Sequence, residues 1–189
     1  MASITSLQKQ VMANKVAKGF NTTDIPFEFM LLTEEVGEAF EAWRKKKPSW
    51  IKFTRVPVMW DNDVHRAHAR LFYTIEDLGK LDELHPLVFK EIHVNGNMLV
   101  AQDPAETEAK QREFLKRFGV TDDQFKKAYH SFNVETNLQR AEQITLRYGV
   151  LAVPTFIVNG KYVTDVGMAG GAEKIMPLID MLAAQEHKH

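Results

Sequence analysis

Cysteine is missing from all 189 residues. That removes one chemistry outright. Thiol–disulfide exchange proceeds by attack of a thiolate on a disulfide sulfur, and a serine hydroxyl cannot replace that sulfur in electron exchange. The absence leaves the compartment open, since a cysteine-free chain is compatible with oxidising and reducing surroundings alike. Long apolar runs are missing as well. No stretch approaches the roughly 20 apolar residues that cross a bilayer as a helix, so no membrane insertion is expected. Charge of one sign is the third absence: 24 basic and 25 acidic side chains, well mixed, leave a net charge of −1. Nothing in that balance favours nucleic acid or a membrane surface as a partner. The first residues, Met1-Ala2-Ser3-Ile4-Thr5, do not follow the basic-then-apolar order of an export signal. What is left, 44% hydrophobic and 26% charged residues without repeats, suits a globular chain of one or two small domains.

The apolar spacing is mostly helical. Residues 4–18 predict an amphipathic helix carrying Ile4, Leu7, Val11 and Val16, stopped by Gly19. A second helix is expected from Pro26, with Phe29, Leu32, Val36, Phe40 and Trp43 on its apolar side. It ends on Arg44-Lys45-Lys46-Lys47, cations placed where a helix C-terminus favours them. Trp50 to Met59 is the first strand candidate, with Pro57 marking an interruption or an end. Further helices are expected over 65–79 and 84–94, from Asp103-Pro104 to Gly119, after a capping box at Thr121–Gln124, and over 133–148. A last helix follows Gly170-Gly171, and the tail 185–189 is expected to be solvated.

One stretch interrupts this helical reading. Val153-Pro154-Thr155-Phe156-Ile157-Val158 is a short β-type run, followed by Asn159-Gly160 and then Lys161-Tyr162-Val163. Asn-Gly tolerates positive φ at both central positions of a two-residue turn, which makes it a strong hairpin signal. The proline stands at the strand entry, where the spacing leaves its bond open between trans and cis.

This hairpin resembles the cis-proline hairpin of thioredoxin-fold proteins, and specifically of the DsbA family of thiol:disulfide interchange proteins. Phe53-Thr54-Arg55-Val56-Pro57-Val58 is similar to that family's central parallel strand. Ala69-Arg70-Leu71-Phe72-Tyr73 and Phe89-Lys90-Glu91-Ile92-His93 are similar to its inserted helical domain. Gly119-Val120, Ser131-Phe132 and Ala169-Gly170-Gly171 follow in the family's order, so the resemblance runs from about Trp43 to the C-terminus. It implies an α/β, helix-rich thioredoxin-like sheet with a helical insertion over about 64–150, within a part covering 48–189. It also implies an extended peptide or unfolded protein as partner, pairing with the backbone of Val153 beside Pro154. Aligned on Trp43, the family's Cys-x-x-Cys position falls near Met30-Leu31-Leu32-Thr33, where no cysteine stands.

The first 47 residues resemble something else. Asn14-Lys15-Val16-Ala17-Lys18-Gly19-Phe20 and Leu32-Thr33-Glu34-Glu35-Val36-Gly37-Glu38-Ala39 are similar to the opening helices of a MazG-type nucleotide pyrophosphohydrolase. In that family a Glu-Glu-x-x-Glu motif helps hold Mg²⁺. Glu35 and Glu38 are three apart, hence on one helix face, and hard oxygen ligands suit the ion. A solvated helix face is the competing reading. The second acidic motif that the family needs is missing, because no glutamate occurs between Glu41 and Glu76. The two resemblances together describe a chimeric or recombined chain joined somewhere in Phe40–Lys47. Asp61, Asp63, His65 and His68 form a second candidate metal cluster, for which acidic helix caps and surface histidines are an equal explanation.

Three functions follow as expectations. The first is a redox-inactive DsbA-like domain that needs no cofactor and binds peptide by strand addition at Val153-Pro154. The second is a Mg²⁺-dependent pyrophosphohydrolase with an incomplete site at Glu35 and Glu38. The third is an inactive chimeric or engineered protein. An unpaired strand edge at Lys52–Val58 would further promote homo-oligomers. Compartment stays open, periplasmic by the larger resemblance but without a signal peptide in these residues.

Overall fold

The computed structural model describes residues 40–188. The chain divides into two compact units, Met1–Phe53 with Phe156–His189, and Thr54–Thr155. The helices expected before residue 40, and with them Glu35 and Glu38, lie outside the described residues.

The unit Thr54–Thr155 is helical. It contains α1 (Asp63–Asp77), α2 (Leu81–His93), α3 (Pro104–Lys116), α4 (Asp122–Tyr129) and α5 (Phe132–Arg147). Helix α1 is central, packed against α2, α4 and α5, while α3 packs on α4. Its sequence explains this position, because Leu71-Phe72-Tyr73-Thr74-Ile75 are all buried. A helix apolar on more than one face must be covered on more than one side. Leu71 and Ile75 join Leu84, Val88, Leu99, Phe114, Leu115, Val120, Phe125 and Tyr129 in one core. Ala69, Phe72 and Tyr73 join Met59, Val134, Leu138 and Ala141 in a second.

Local signals set where these helices begin. Asn62 Oδ1 accepts from the N–H groups of Val64 and His65 at 2.8 and 3.4 Å, so α1 starts two residues before the apolar spacing suggests. Asp103 Oδ1 accepts from Ala105 and Glu106 at 2.8 and 2.9 Å, with Pro104 in the first turn. The capping box on α4 is complete: Gln124 N–H donates to Thr121 Oγ1 at 3.2 Å, and Thr121 N–H donates to Gln124 Oε1 at 2.9 Å. Ser131 Oγ caps α5 by accepting from Val134 N–H at 3.1 Å.

The described part of the other unit holds a helical stretch over residues 40–46, β1 (Thr155–Val158, whose first residue belongs to the helical unit), β2 (Tyr162–Asp165), α6 (Val166–Ala169) and α7 (Ala172–His187). Strands β1 and β2 form a two-stranded sheet across the Asn159-Gly160 turn, whose φ values are +50° and +70°. Phe40 packs its ring, tilted, against those of Phe53 and Phe156 at centroid distances of 4.6 and 6.1 Å. Trp43 Nε1 donates to Asp180 on α7 at 2.6 Å. Helix α6 was not expected from periodicity, being a single turn capped by Asp165, whose Oδ1 accepts from Met168 N–H at 2.7 Å.

Two expectations are corrected. Residues 50–59 form no strand. Met59 N–H goes to the Thr145 hydroxyl at 3.1 Å rather than to another backbone, and Pro57 has no N–H to give. The strand edge expected at Lys52–Val58 is therefore not present among the described residues. The tail over 185–188 is mostly exposed, as expected, and α7 continues through it to His187. Glu186 accepts from Lys161 Nζ and Asn159 Nδ2, both at 2.6 Å, and His187 stacks on Trp50 at 4.1 Å.

Candidate functional site

The site at Val153-Pro154 is built from the end of α5 outward. Thr145 is buried in that helix and fixes two segments at once. Its hydroxyl accepts from Met59 N–H and donates to Ala141 O at 2.9 Å, while its carbonyl accepts from Val150 N–H at 3.0 Å. Trp60 Nε1 donates to Val150 O at 2.7 Å. Val150 is thus held on both its backbone groups, and the four residues after it are exposed. Leu151 is 90% exposed and Val153 60%, with Ala152 and Pro154 exposed between and after them. Thr155 Oγ1 donates to Ala152 O at 2.7 Å and closes the loop just before β1.

Among the described residues the backbone of Val153 has no hydrogen-bond partner. The Val153–Pro154 bond is cis, which resolves the alternative left open by the sequence. The arrangement places one N–H and one C=O, without partners among the described residues, at the entrance to a strand and beside apolar side chains. Unpaired backbone groups at a sheet margin are what an extended peptide can pair with.

The other candidates separate. Asp61 and Asp63 are exposed, His65 packs its ring on Trp60 at 5.1 Å, and His68 Nε2 donates to Met98 O at 2.7 Å. Among the described residues no three His, Cys, Asp or Glu side chains are grouped to hold a metal ion, and the helix cap beside these residues is Asn62 rather than an aspartate. Sequence reasoning missed Trp60 and Thr145, the two side chains that anchor the loop. A tryptophan just before Asp61 carries no periodic signal, and a threonine inside a helical stripe reads as surface. Leu151 was also passed over, although four apolar residues in a row at a strand entry could have marked it.

The chain matches the model of the DSBA-like thioredoxin domain over residues 33–183. The match begins ahead of Phe40–Lys47, where the sequence alone suggested a join between two families. Among curated proteins, the thiol:disulfide interchange protein DsbA of Azotobacter vinelandii is 36% identical over 148 residues, 78% of this chain and 66% of that protein. DsbA of Pseudomonas aeruginosa is 33% identical over 144 residues, 76% and 65% respectively. The chain therefore spans just under two thirds of the length of these relatives. The crystal structure of P. aeruginosa DsbA superposes with a TM-score of 0.73 at 30% identity, covering 82% of this chain and 77% of that one. DsbA of Proteus mirabilis, solved with a non-covalently bound peptide, has a TM-score of 0.66 at 18% identity and shares the fold over 79% and 80%. Helix-rich, with a small sheet and a proline at the strand entry, this chain belongs to the DSBA-like thioredoxin domain family.

Proposed function

We propose that this chain is a peptide-binding member of its family that does not itself exchange disulfides. The observation that carries the reading is Val153 at the entrance to β1, an exposed residue whose backbone has no hydrogen-bond partner among the described residues. An extended peptide adds there by main-chain hydrogen bonds, and Leu151, Val153 and Pro154 give its side chains apolar surface. The peptide complex of the Proteus neighbour supports this, as does family membership. These 189 residues contribute no thiol, so binding ends without electron transfer. The reading carries the family's compartment with it, the periplasm, and requires no cofactor.

The test separates backbone from side chain. Val153→Pro removes the N–H and keeps an apolar residue, whereas Val153→Ala keeps the N–H. Binding of a fluorescent, cysteine-free extended peptide should weaken about tenfold in Val153→Pro, the cost of one lost hydrogen bond that leaves its partner unpaired. Val153→Ala should change it much less. Equal affinity in all three proteins would overturn the proposal. Turnover of a nucleoside triphosphate that depends on Mg²⁺ and on Glu35 and Glu38 would replace it with the hydrolase reading.

A further inference from the structure

The described residues contain two Asn-Gly pairs, Asn95-Gly96 and Asn159-Gly160, and their settings differ. Asn-Gly is chemically labile because a glycine nitrogen, with no Cβ beside it, can reach the carbonyl carbon of the preceding asparagine side chain. At both pairs the asparagine amide donates to a glutamate. Asn95 Nδ2 reaches Glu91 Oε2 at 2.8 Å, and Asn159 Nδ2 reaches Glu186 Oε2 at 2.6 Å. The difference lies in the backbone. The second pair is locked in the hairpin, closed by Lys161 N–H to Val158 O at 3.0 Å, and Gly160 is itself engaged. The first pair follows α2 in an exposed loop. Gly96 N–H has no acceptor among the described residues, and nothing lies within 4 Å of where a side chain at Gly96 would stand.

We propose that Asn95 is a site of spontaneous deamidation, and that its product opens the loop centred on Glu91. The nitrogen of Gly96 attacks Cγ of Asn95, forming an N–Cγ bond. The Cγ–Nδ2 bond breaks, and the glycine proton leaves with the side-chain nitrogen as ammonia. Water then opens the resulting succinimide at either carbonyl, giving aspartate or isoaspartate. No oxidant, enzyme or metal is needed, and the chain gains one negative charge.

That charge arises beside a carboxylate. Glu91 is buried, and it accepts from Asn95, from Asn97 Nδ2 at 3.0 Å and from Arg117 at 2.8 Å. Conversion removes one donor and sets two carboxylates within hydrogen-bond reach, an arrangement in which both do not ionise cheaply. The effect reaches the core through the loop itself. Asn97 Oδ1 accepts from Leu99 N–H at 3.3 Å, and Leu99 is fully buried with φ +55°.

The two pairs fall in different tryptic peptides, 91–110 and 148–161, so one time course reads both. The full chain is incubated in mildly alkaline buffer, and each peptide is followed by mass spectrometry that resolves isoaspartate. Conversion at Asn95 should run severalfold faster than at Asn159, and the converted fraction should show faster amide exchange over residues 94–99. Asn95→Asp should reproduce that exchange without incubation. Conversion at Asn159 as fast as at Asn95, or a converted fraction whose exchange matches the fresh protein, would overturn the proposal. The wild-type time course decides the matter even where the variant folds poorly.

Discussion

Glu91 is a carboxylate with an 8% exposed side chain, and it stays ionised because donors surround it. The Arg117 guanidinium first, then the amides of Asn97 and Asn95, pull its carboxyl from the ordinary 4.5 down to about 2. Glu91→Gln keeps the size but loses the charge-assisted bonds, at a cost of about 2 kcal/mol near neutral pH. The pH dependence follows from the sign of the shift. A carboxyl lowered in the folded state contributes stability that is fully present above 4.5 and is lost as pH falls towards about 2. Urea unfolding at a series of pH values should show a Glu91→Gln deficit that is flat near neutrality and shrinks across that window. A deficit unchanged at the acid end would mean that the side chain acts through packing alone. Val153 is the opposite kind of residue: in the proposed function it acts through backbone groups that have no partner among the described residues.

At the scale of elements, α4 depends on its start more than its length. It has eight residues, too few for an isolated helix to persist, and its N-terminal donors are met by Thr121 and Gln124 reciprocally. Thr121→Ala should lower stability by about 1 kcal/mol, while Thr121→Ser, which keeps the hydroxyl, should restore most of it. Thermal unfolding checks both, and equal melting of all three proteins would show that burial of Phe125 and Tyr129 holds the helix unaided. Such caps were legible in the sequence because they are local: Thr121, Asp103 and the Asn159-Gly160 turn each specify geometry within four residues. Residues 50–59 misled because a strand is defined by its partner. Ile51, Phe53, Val56 and Val58 have β-type character, yet Met59 turns its N–H to a threonine hydroxyl 86 positions away. The Val153-Pro154 stretch was legible as a strand entry through the hairpin behind it. Its anchors were not, because Trp60 and Thr145 meet Val150 only in the folded chain.

For the whole molecule, the absence of cysteine and the presence of the family's fold make separable demands. Electron exchange needs a sulfur, which these residues do not supply, whereas strand addition needs only backbone groups held in place. A ligand that binds the folded state alone raises stability by about 2.7 kcal/mol at a concentration one hundred times its dissociation constant. A cysteine-free extended peptide should therefore raise the melting temperature of this chain by several degrees, and the increment should vanish in Val153→Pro. Adding a thiol reductant should leave that increment untouched, because no step involves a disulfide. An increment that needs cysteine in the peptide, or that survives Val153→Pro, would place the interaction elsewhere on the protein. Deamidation at Asn95 gives an internal control: it should lower the baseline melting temperature through the Glu91 loop while the peptide still adds its increment, since the loop and Val153 make no hydrogen bond to each other.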